Sequence, residues 1–514
     1  MYRPVWTCGR YNTEHQAAIY YNLISGISFY FEDFSAQVIG KVLEAGRNGS
    51  FELEDISKEL NISMDSLLPF FKQLEQLGLV SSIYPSEDII ADYRKRQSEY
   101  NCKQTQEVEK TVQEKLPYAT TNAEMMYTDR VGGITSVMFE LTYRCSEKCI
   151  HCYNEGATRN DDEVSHRGDR IELTLGDYIK LIEELYNQGL VKVCLTGGDP
   201  FSKSIAWDII KYLYNKDIAF DIFTNGQGIT KRVKELADYF PRSVDISIYS
   251  GVAEDHDYIT RISGSWEKSI DVVKQLSALS VPMNLKCCVM RPNVKSYYKV
   301  ADIARKYGAV PQFEVSITDS VEGDQCASKF LRLTRDQLDV VLRDSYIPLY
   351  VGKEAPNYGG QKKQMDSNPC SAGYNSLCIT PEGNVIPCCS FHALFGNVKK
   401  QSISDILTKS KALNYWRSLS LNDYEECGRH KYCAYCNLCP GINYSSNGTP
   451  LKASENNCFL AKERYNLAIR LKNGEDPLEG KTLHEAIDDL PNYEKKRLSK
   501  IKGKNYSDKY LTDE

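Results

Sequence analysis

The sequence predicts a mixed α/β chain in which a partial (β/α)6 barrel sits between a small N-terminal module and a C-terminal cysteine-rich domain. Three observations predict this. From Val131 onward, short β-rich runs alternate with amphipathic helical stretches. The first 90 residues instead read as helices followed by a β-rich ending. Twelve of the 18 cysteines gather in two groups, one near residue 150 and one from Cys370 to Cys458. A length of 514 residues suits several domains. The opening Met1-Tyr-Arg-Pro-Val-Trp lacks an apolar signal region, and no run is long enough to span a bilayer, so a cytoplasmic protein without a membrane partner is expected. Such a chain has little use for a disulfide framework, and clustered cysteines there point to metal. Cys8, Cys102, Cys194, Cys287, Cys288 and Cys326 lie outside both groups and read as small buried hydrophobes or incidental thiols.

Within residues 1–90, Phe34, Val38, Ile39, Val42 and Leu43 recur at helical spacing. A short helix is expected over Glu54–Leu60. After the turn Asn61-Ile62-Ser63, a third helix carries Leu67, Leu68, Phe71, Leu74 and Leu77. Ser63 suits an N-cap and Gly78 a C-terminal stop. The run Leu79–Tyr84 then reads as a strand. Helices closed by a strand make the winged helix-turn-helix pattern, which often binds DNA. Charge argues against that use. The module holds six Lys/Arg against twelve Asp/Glu, so the whole chain's net charge of −6 resides in it, and no nucleic-acid partner is expected. Residues 91–130 are polar and charged without a clear period and read as a linker, partly helical.

The barrel is expected over residues 131–345. Its strands are Ser136–Thr142, Val191–Leu195, Ala219–Phe223, Val244–Ile248, Met283–Met290 and Gln312–Ile317, separated by helical segments such as Leu175–Asn187 and Trp266–Leu279. Strands alternating with helices imply a parallel sheet with right-handed crossovers. A cysteine-rich domain over 366–470 and a charged helical tail over 471–514 follow.

The first barrel strand runs into a loop with Cys145, Cys149 and Cys152, spaced Cys-x3-Cys-x2-Cys. A loop at the C-terminal end of a barrel strand projects into the active site. Three thiolates can hold three irons of a four-iron cluster and leave the fourth open for a substrate. The same spacing also serves zinc with a fourth ligand such as His151.

Together with the alternating strands, this loop resembles the signature of the radical SAM superfamily. The second strand ends in Thr196-Gly197-Gly198-Asp199-Pro200, similar to the family's glycine-glycine-acid motif, with Asp199 where Glu is more frequent. The resemblance implies that this turn binds the amino group of S-adenosylmethionine. It continues through Asn225 at the third strand end, Ser247 on the fourth strand and Arg261 beyond it. Tyr153, Gly197, Gly198, Asp199, Asn225, Ser247 and Arg261 are thereby implied as cofactor contacts. It also implies the chemistry: reductive cleavage of S-adenosylmethionine to methionine and a 5′-deoxyadenosyl radical, with an electron donor such as flavodoxin or ferredoxin.

In the second group, Cys370 and Cys388 flank the hairpin signal Pro381-Glu382-Gly383-Asn384 with spacing Cys-x12-Gly-x4-Cys. This resembles the opening of the SPASM domain, a radical SAM appendage that binds auxiliary iron–sulfur clusters. Cys427, Cys433, Cys436 and Cys439 follow as Cys-x5-Cys-x2-Cys-x2-Cys, where the usual SPASM order is Cys-x2-Cys-x5-Cys-x3-Cys. The thiols suffice for two auxiliary [4Fe–4S] clusters. The expected grouping is Cys433, Cys436, Cys439 and Cys458 on one, and Cys370, Cys388 and Cys427 on the other, completed by Cys378 or Cys389. A zinc ribbon is the alternative.

A winged-helix module ahead of a radical SAM–SPASM pair resembles maturases of ribosomally made peptides, in which a RiPP recognition element captures a leader by strand addition. This implies a precursor peptide as substrate, with thioether formation on a cysteine-rich peptide, as in sactipeptide and ranthipeptide synthases, the preferred outcome. Carbon–carbon cross-linking, epimerisation and decarboxylation stay open. The alternatives are an anaerobic sulfatase-maturating enzyme, a redox-sensing DNA-binding protein and a SAM-binding scaffold without turnover.

Overall fold

The computed structural model describes residues 1–111, 121–154, 172–319, 330–352 and 365–494. Cys326 and residues 495–514 of the tail lie outside them.

The chain begins with an antiparallel meander, β1 (Thr7–Asn12), β2 (Ala17–Asn22) and β3 (Ile27–Glu32), in the order β1-β2-β3. All six residues of β2 are buried. Ala18 and Tyr20 face the module's own helices. Ala17, Ile19 and Tyr21 share a second core with Val191, Ala219 and Phe240 of the barrel. A strand covered on both faces shows no alternation of apolar and polar residues, so this sheet leaves no period-two signal.

The three expected helices follow, at Asp33–Glu44, Leu53–Leu60 and Met64–Gln76. The strand expected over Leu79–Tyr84 is not formed. Ser81 makes a single antiparallel bridge to Tyr2, and Leu79 and Val80 are buried in the helical core. Burial, rather than strand pairing, accounts for their apolar character. The N-terminal fold is therefore a three-stranded sheet ahead of three helices, which corrects the expected helices-then-strand order. Two helices, Glu87–Thr111 and Thr121–Val131, then lead to the barrel.

Six parallel strands form the barrel sheet: β4 (Ser136–Glu140), β5 (Lys192–Thr196), β6 (Ala219–Thr224), β7 (Ser243–Ser247), β8 (Met283–Cys288) and β9 (Val310–Glu314), in sequential order. Their outward residues, among them Val137, Phe139, Val193, Ile222, Ile246 and Leu285, join the main core beneath the helices. The helix Leu175–Asn187 is representative. Thr174 and Asp177 close a capping box at its start, and Tyr178, Leu181, Ile182 and Leu185 are buried at helical spacing. Each such side chain contributes about 1.5–3 kcal/mol. The inward face differs: Glu140, Asp221, Asp245 and Lys286 alternate with the outward apolar residues, so the lumen is polar.

The sheet does not end at β4. β10 (Ser376–Ile379) pairs with β4 in parallel, and β11 (Asn384–Ile386) and β12 (Gly396–Asn397) continue antiparallel, making nine strands. The hairpin signal at Pro381–Asn384 turns β10 into β11 as expected. The cysteine-rich domain is thus built onto the edge of the barrel. Among the described residues, no helix is long and apolar enough to cross a membrane.

Candidate active site

The loop leaving β4 carries Cys145, Cys149 and Cys152, and it is pinned from two sides. Lys148 N–H donates to Thr260 O at 3.0 Å and Ile150 N–H to Ile259 O at 2.9 Å, which ties it to the end of the helix Ala253–Thr260. Opposite, Gly198 N–H donates to Thr142 O at 2.6 Å and Asp199 N–H to Arg144 O at 2.8 Å. The second contact requires both glycines. A Cβ on Gly197 would lie 2.4 Å from Thr142 O, and one on Gly198 would lie 2.4 Å from Arg144 O. Gly197 also has φ +136°, a conformation that suits glycine.

Asp199 is buried, and its carboxylate accepts Thr224 Oγ1 at 2.6 Å, Asn225 N–H at 3.0 Å and Phe201 N–H at 3.0 Å. It joins the ends of β5 and β6. Asn225 extends the join: its Nδ2 donates to Ser146 Oγ at 2.9 Å and lies 3.5 Å from Cys145 Sγ. Within the protein, both residues therefore position the cysteine loop.

None of the three thiols is in a disulfide. Cys145 Sγ accepts Glu147 N–H at 3.4 Å, Cys149 Sγ donates to Glu147 Oε2 at 3.4 Å, and Cys152 Sγ donates to Asn154 O at 3.3 Å. Burial pushes the Cys145 and Cys149 thiols up, and the carboxylates of Asp199 and Glu147 push in the same direction. Buried thiols beside two carboxylates are a donor set completed by a centre that brings positive charge, as iron does. Among the described residues, no three His, Cys, Asp or Glu side chains converge closely enough for a single ion. The corners of a multi-iron cluster do not require that convergence.

Of the other expected contacts, Tyr153 O–H donates to Glu140 Oε1 at 3.2 Å inside the lumen. Ser247 lies beside the Tyr249 phenol. Arg261 is exposed at φ 61° at the end of the helix Ala253–Thr260, next to the residues that bind the loop backbone.

Sequence reasoning missed an aromatic wall beside the loop. His151 packs edge-on against Tyr249 with ring centroids 4.6 Å apart, and Tyr249 stacks on His256 at 5.6 Å. Burial lowers His151 to about 4, and its Nδ1 is buried without a partner. It also missed Glu147, whose carboxylate accepts Gln227 Nε2 at 2.8 Å. The position of His151 directly before Cys152 was the available signal for the wall.

The rear cysteines divide differently from the expected grouping. Cys427, Cys433, Cys436 and Cys458 line one pocket, together with Leu421 and Ala461. Cys439 instead falls with Cys370 and Cys388, whose thiols it helps to push up. Cys427 and Cys439 thus exchange places. The reason is tertiary: Cys439 is the N-cap of the helix Pro440–Asn447, and Gly441 of that helix packs against Ser390. Cys378 lies in β10, in a sheet row with Met138 and Cys194. Cys389 lies against Tyr153 and Glu140.

The profile of the Radical SAM superfamily matches residues 139–308, and that of the SPASM iron–sulfur cluster-binding domain matches residues 370–440. The protein is thus a radical SAM enzyme, whose cofactors are S-adenosylmethionine, a [4Fe–4S] cluster in the barrel and iron–sulfur centres in the rear domain. The antilisterial bacteriocin subtilosin biosynthesis protein AlbA of Bacillus subtilis is 26% identical over 339 residues, covering 63% of this chain and 70% of its own. The PqqA peptide cyclase of Methylocella silvestris is 26% identical over 310 residues, covering 58% and 79%. Among solved structures, Streptococcus suis SuiB bound to its precursor peptide SuiA superposes with a TM-score of 0.51 at 14% identity, over 89% of this chain and 100% of that one, a likeness of fold.

Proposed function

We propose that this chain is a maturase of a ribosomally synthesised, cysteine-rich peptide that forms thioether cross-links. The observation that carries the reading is the continuation of the barrel sheet into the rear domain through β10 on β4. It sets Cys389 against Tyr153, so the rear domain reaches the lumen onto which the cysteine loop opens. One cavity then serves hydrogen abstraction and electron removal. The names of the two relatives, a bacteriocin biosynthesis protein and a peptide cyclase, support a peptide substrate.

In this reading Cys145, Cys149 and Cys152 hold the barrel cluster. Gly197 and Gly198 form the turn that receives the amino group of S-adenosylmethionine, with Asp199, Asn225, Tyr153, Ser247 and Arg261 around it. Bound there, the cofactor pair supplies a carbon radical that takes one hydrogen from a peptide C–H. Sulfur-to-carbon bonding would release the thiol hydrogen as a proton and leave one electron, for which an auxiliary cluster held by the rear thiols would supply the acceptor. Two such clusters are proposed, on Cys427, Cys433, Cys436 and Cys458, and on Cys370, Cys388 and Cys439.

The sheet β1–β3 with its three helices is proposed as the leader-binding element, over residues 1–90. β3 is an edge strand, the geometry that strand addition uses. The linker over 91–130, barrel over 131–345, SPASM domain over 366–470 and tail over 471–514 complete the proposed organisation. A cytoplasmic location and a flavodoxin or ferredoxin donor suit reduced thiols and low-potential clusters.

The test is anaerobic incubation of the cluster-loaded protein with S-adenosylmethionine, dithionite and the cysteine-rich peptide encoded beside its gene. The expected product has lost about 2 Da per cross-link, with the cysteines involved no longer alkylatable. Deoxyadenosine without any change in the peptide would overturn the substrate assignment.

A further inference from the structure

Glu140 ends β4 with its side chain 1% exposed. Phe139 and Leu141 on either side belong to the outer core, so strand alternation turns Glu140 into the lumen. Oε1 accepts the Tyr153 hydroxyl at 3.2 Å, while Oε2 is buried with no hydrogen-bond partner. The neighbours that act on the carboxyl are Tyr153 and a second carboxylate, Glu382, with no cation among them. Burial raises it to about 7. A buried acceptor left open in a polar lumen is stabilised by any ligand that brings a donor.

The location narrows that ligand. Cys378 and Cys389, which feel Glu140, come from the rear domain. From the other side, Tyr153, which follows Cys152 of the loop, donates to Glu140. Glu140 therefore faces the space between the cysteine loop and the rear domain. Thr196, the strand partner of Glu140, leads into the Gly197–Gly198 turn, and the turn itself packs against Thr142 and Arg144.

We propose that Glu140 anchors the peptide substrate, its open Oε2 accepting an N–H or ammonium hydrogen of the residue that presents the C–H, with Tyr153 fixing the orientation of the carboxyl. This rests on the peptide-maturase reading above and adds a specificity-determining residue to it. Glu140 does not take part in the bond changes. It holds the reacting residue in place.

The experiment compares wild type with Glu140→Gln, which keeps the shape and replaces the acceptor Oε2 or Oε1 by an amide, and with Glu140→Asp. All three are full-length and matched for iron content. Deoxyadenosine, modified peptide and binding of S-adenosylmethionine are measured with the cysteine-rich peptide encoded beside the gene. For Glu140→Gln, modified peptide per deoxyadenosine is expected to fall roughly tenfold, the effect of losing a charge-assisted hydrogen bond. Because the amide oxygen of Gln still accepts the Tyr153 hydroxyl, binding of S-adenosylmethionine and its cleavage without peptide stay at the wild-type level. Glu140→Asp, which keeps the charge, recovers part of the coupling. Unchanged coupling in Glu140→Gln overturns the assignment. So does a loss of cofactor binding, which would give the open oxygen to the ammonium of S-adenosylmethionine. A wild type that cleaves the cofactor and leaves the peptide unmodified sinks the maturase reading, and this inference with it.

Discussion

Asp199 Oδ2 accepts the backbone N–H of Asn225 at 3.0 Å, so the acid of the Gly-Gly-Asp turn is bonded to the residue that reaches Cys145. Removing this carboxylate leaves the Thr224 hydroxyl and two backbone N–H groups without acceptors. Each costs about 1–3 kcal/mol. Asp199→Ala should therefore lower the melting temperature and the iron retained per chain. Asp199→Asn, which keeps one carbonyl oxygen, should lose less of both. Thermal denaturation and iron analysis on the same samples check the order.

The exchange of Cys427 and Cys439 has a counting consequence. If Cys427, Cys433, Cys436 and Cys458 share one pocket, Cys427→Ser with Cys458→Ser should lose no more iron than either alone. Cys439→Ser with Cys458→Ser should lose the sum of the two single losses. Iron and sulfide analysis decides, and the reverse pattern restores the grouping expected from sequence.

Asp217 joins the N-terminal module to the barrel through Arg3 and through Arg47 Nε at 3.1 Å. The Arg3 side chain is 2% exposed, so Asp217→Ala would leave a buried guanidinium short of its anion. Because Asp217 itself is partly exposed, a cost of about 2–4 kcal/mol is expected, toward the lower side of that for a broken buried pair. Hydrogen exchange should quicken in β1–β3, with the amides of β5–β7 little changed.

His256 is buried, and its Nδ1 accepts Tyr249 N–H at 3.1 Å, so the folded state keeps the ring neutral. Burial lowers it from 6.5 to about 4, with the neighbouring Asp257 pulling the other way. The unfolded chain binds the proton first on acidification. Stability from this residue is thus complete above about pH 6.5 and declines as pH falls toward 4, by up to about 3 kcal/mol. His256→Asn keeps an acceptor without the titration. Denaturant midpoints of the two proteins should converge from pH 7 to pH 4.5. Parallel curves would show that His256 does not contribute.

The six barrel strands and the Leu175–Asn187 helix were legible because each has one apolar face and one polar face, and a period can be read from neighbouring residues alone. The cysteine loop and the Gly-Gly turn were legible because spacing along the chain dictates what a loop can present. β1–β3 were not, since β2 is buried on one side by its own helices and on the other by the barrel, and a doubly covered strand carries no alternation. Leu79 and Val80 misled for the converse reason, being apolar for a helical core.

By itself, then, the sequence determined the barrel, its cysteine loop and the pool of rear thiols, all set by local pattern and spacing. Only the tertiary structure decided which thiols stand together and that Glu140 is left with an open oxygen facing the lumen. Those outcomes depend on the pairing of β10 with β4 and on the packing of the Pro440–Asn447 helix against Ser390. They are contacts between residues hundreds or tens of positions apart, whose partners no local spacing names.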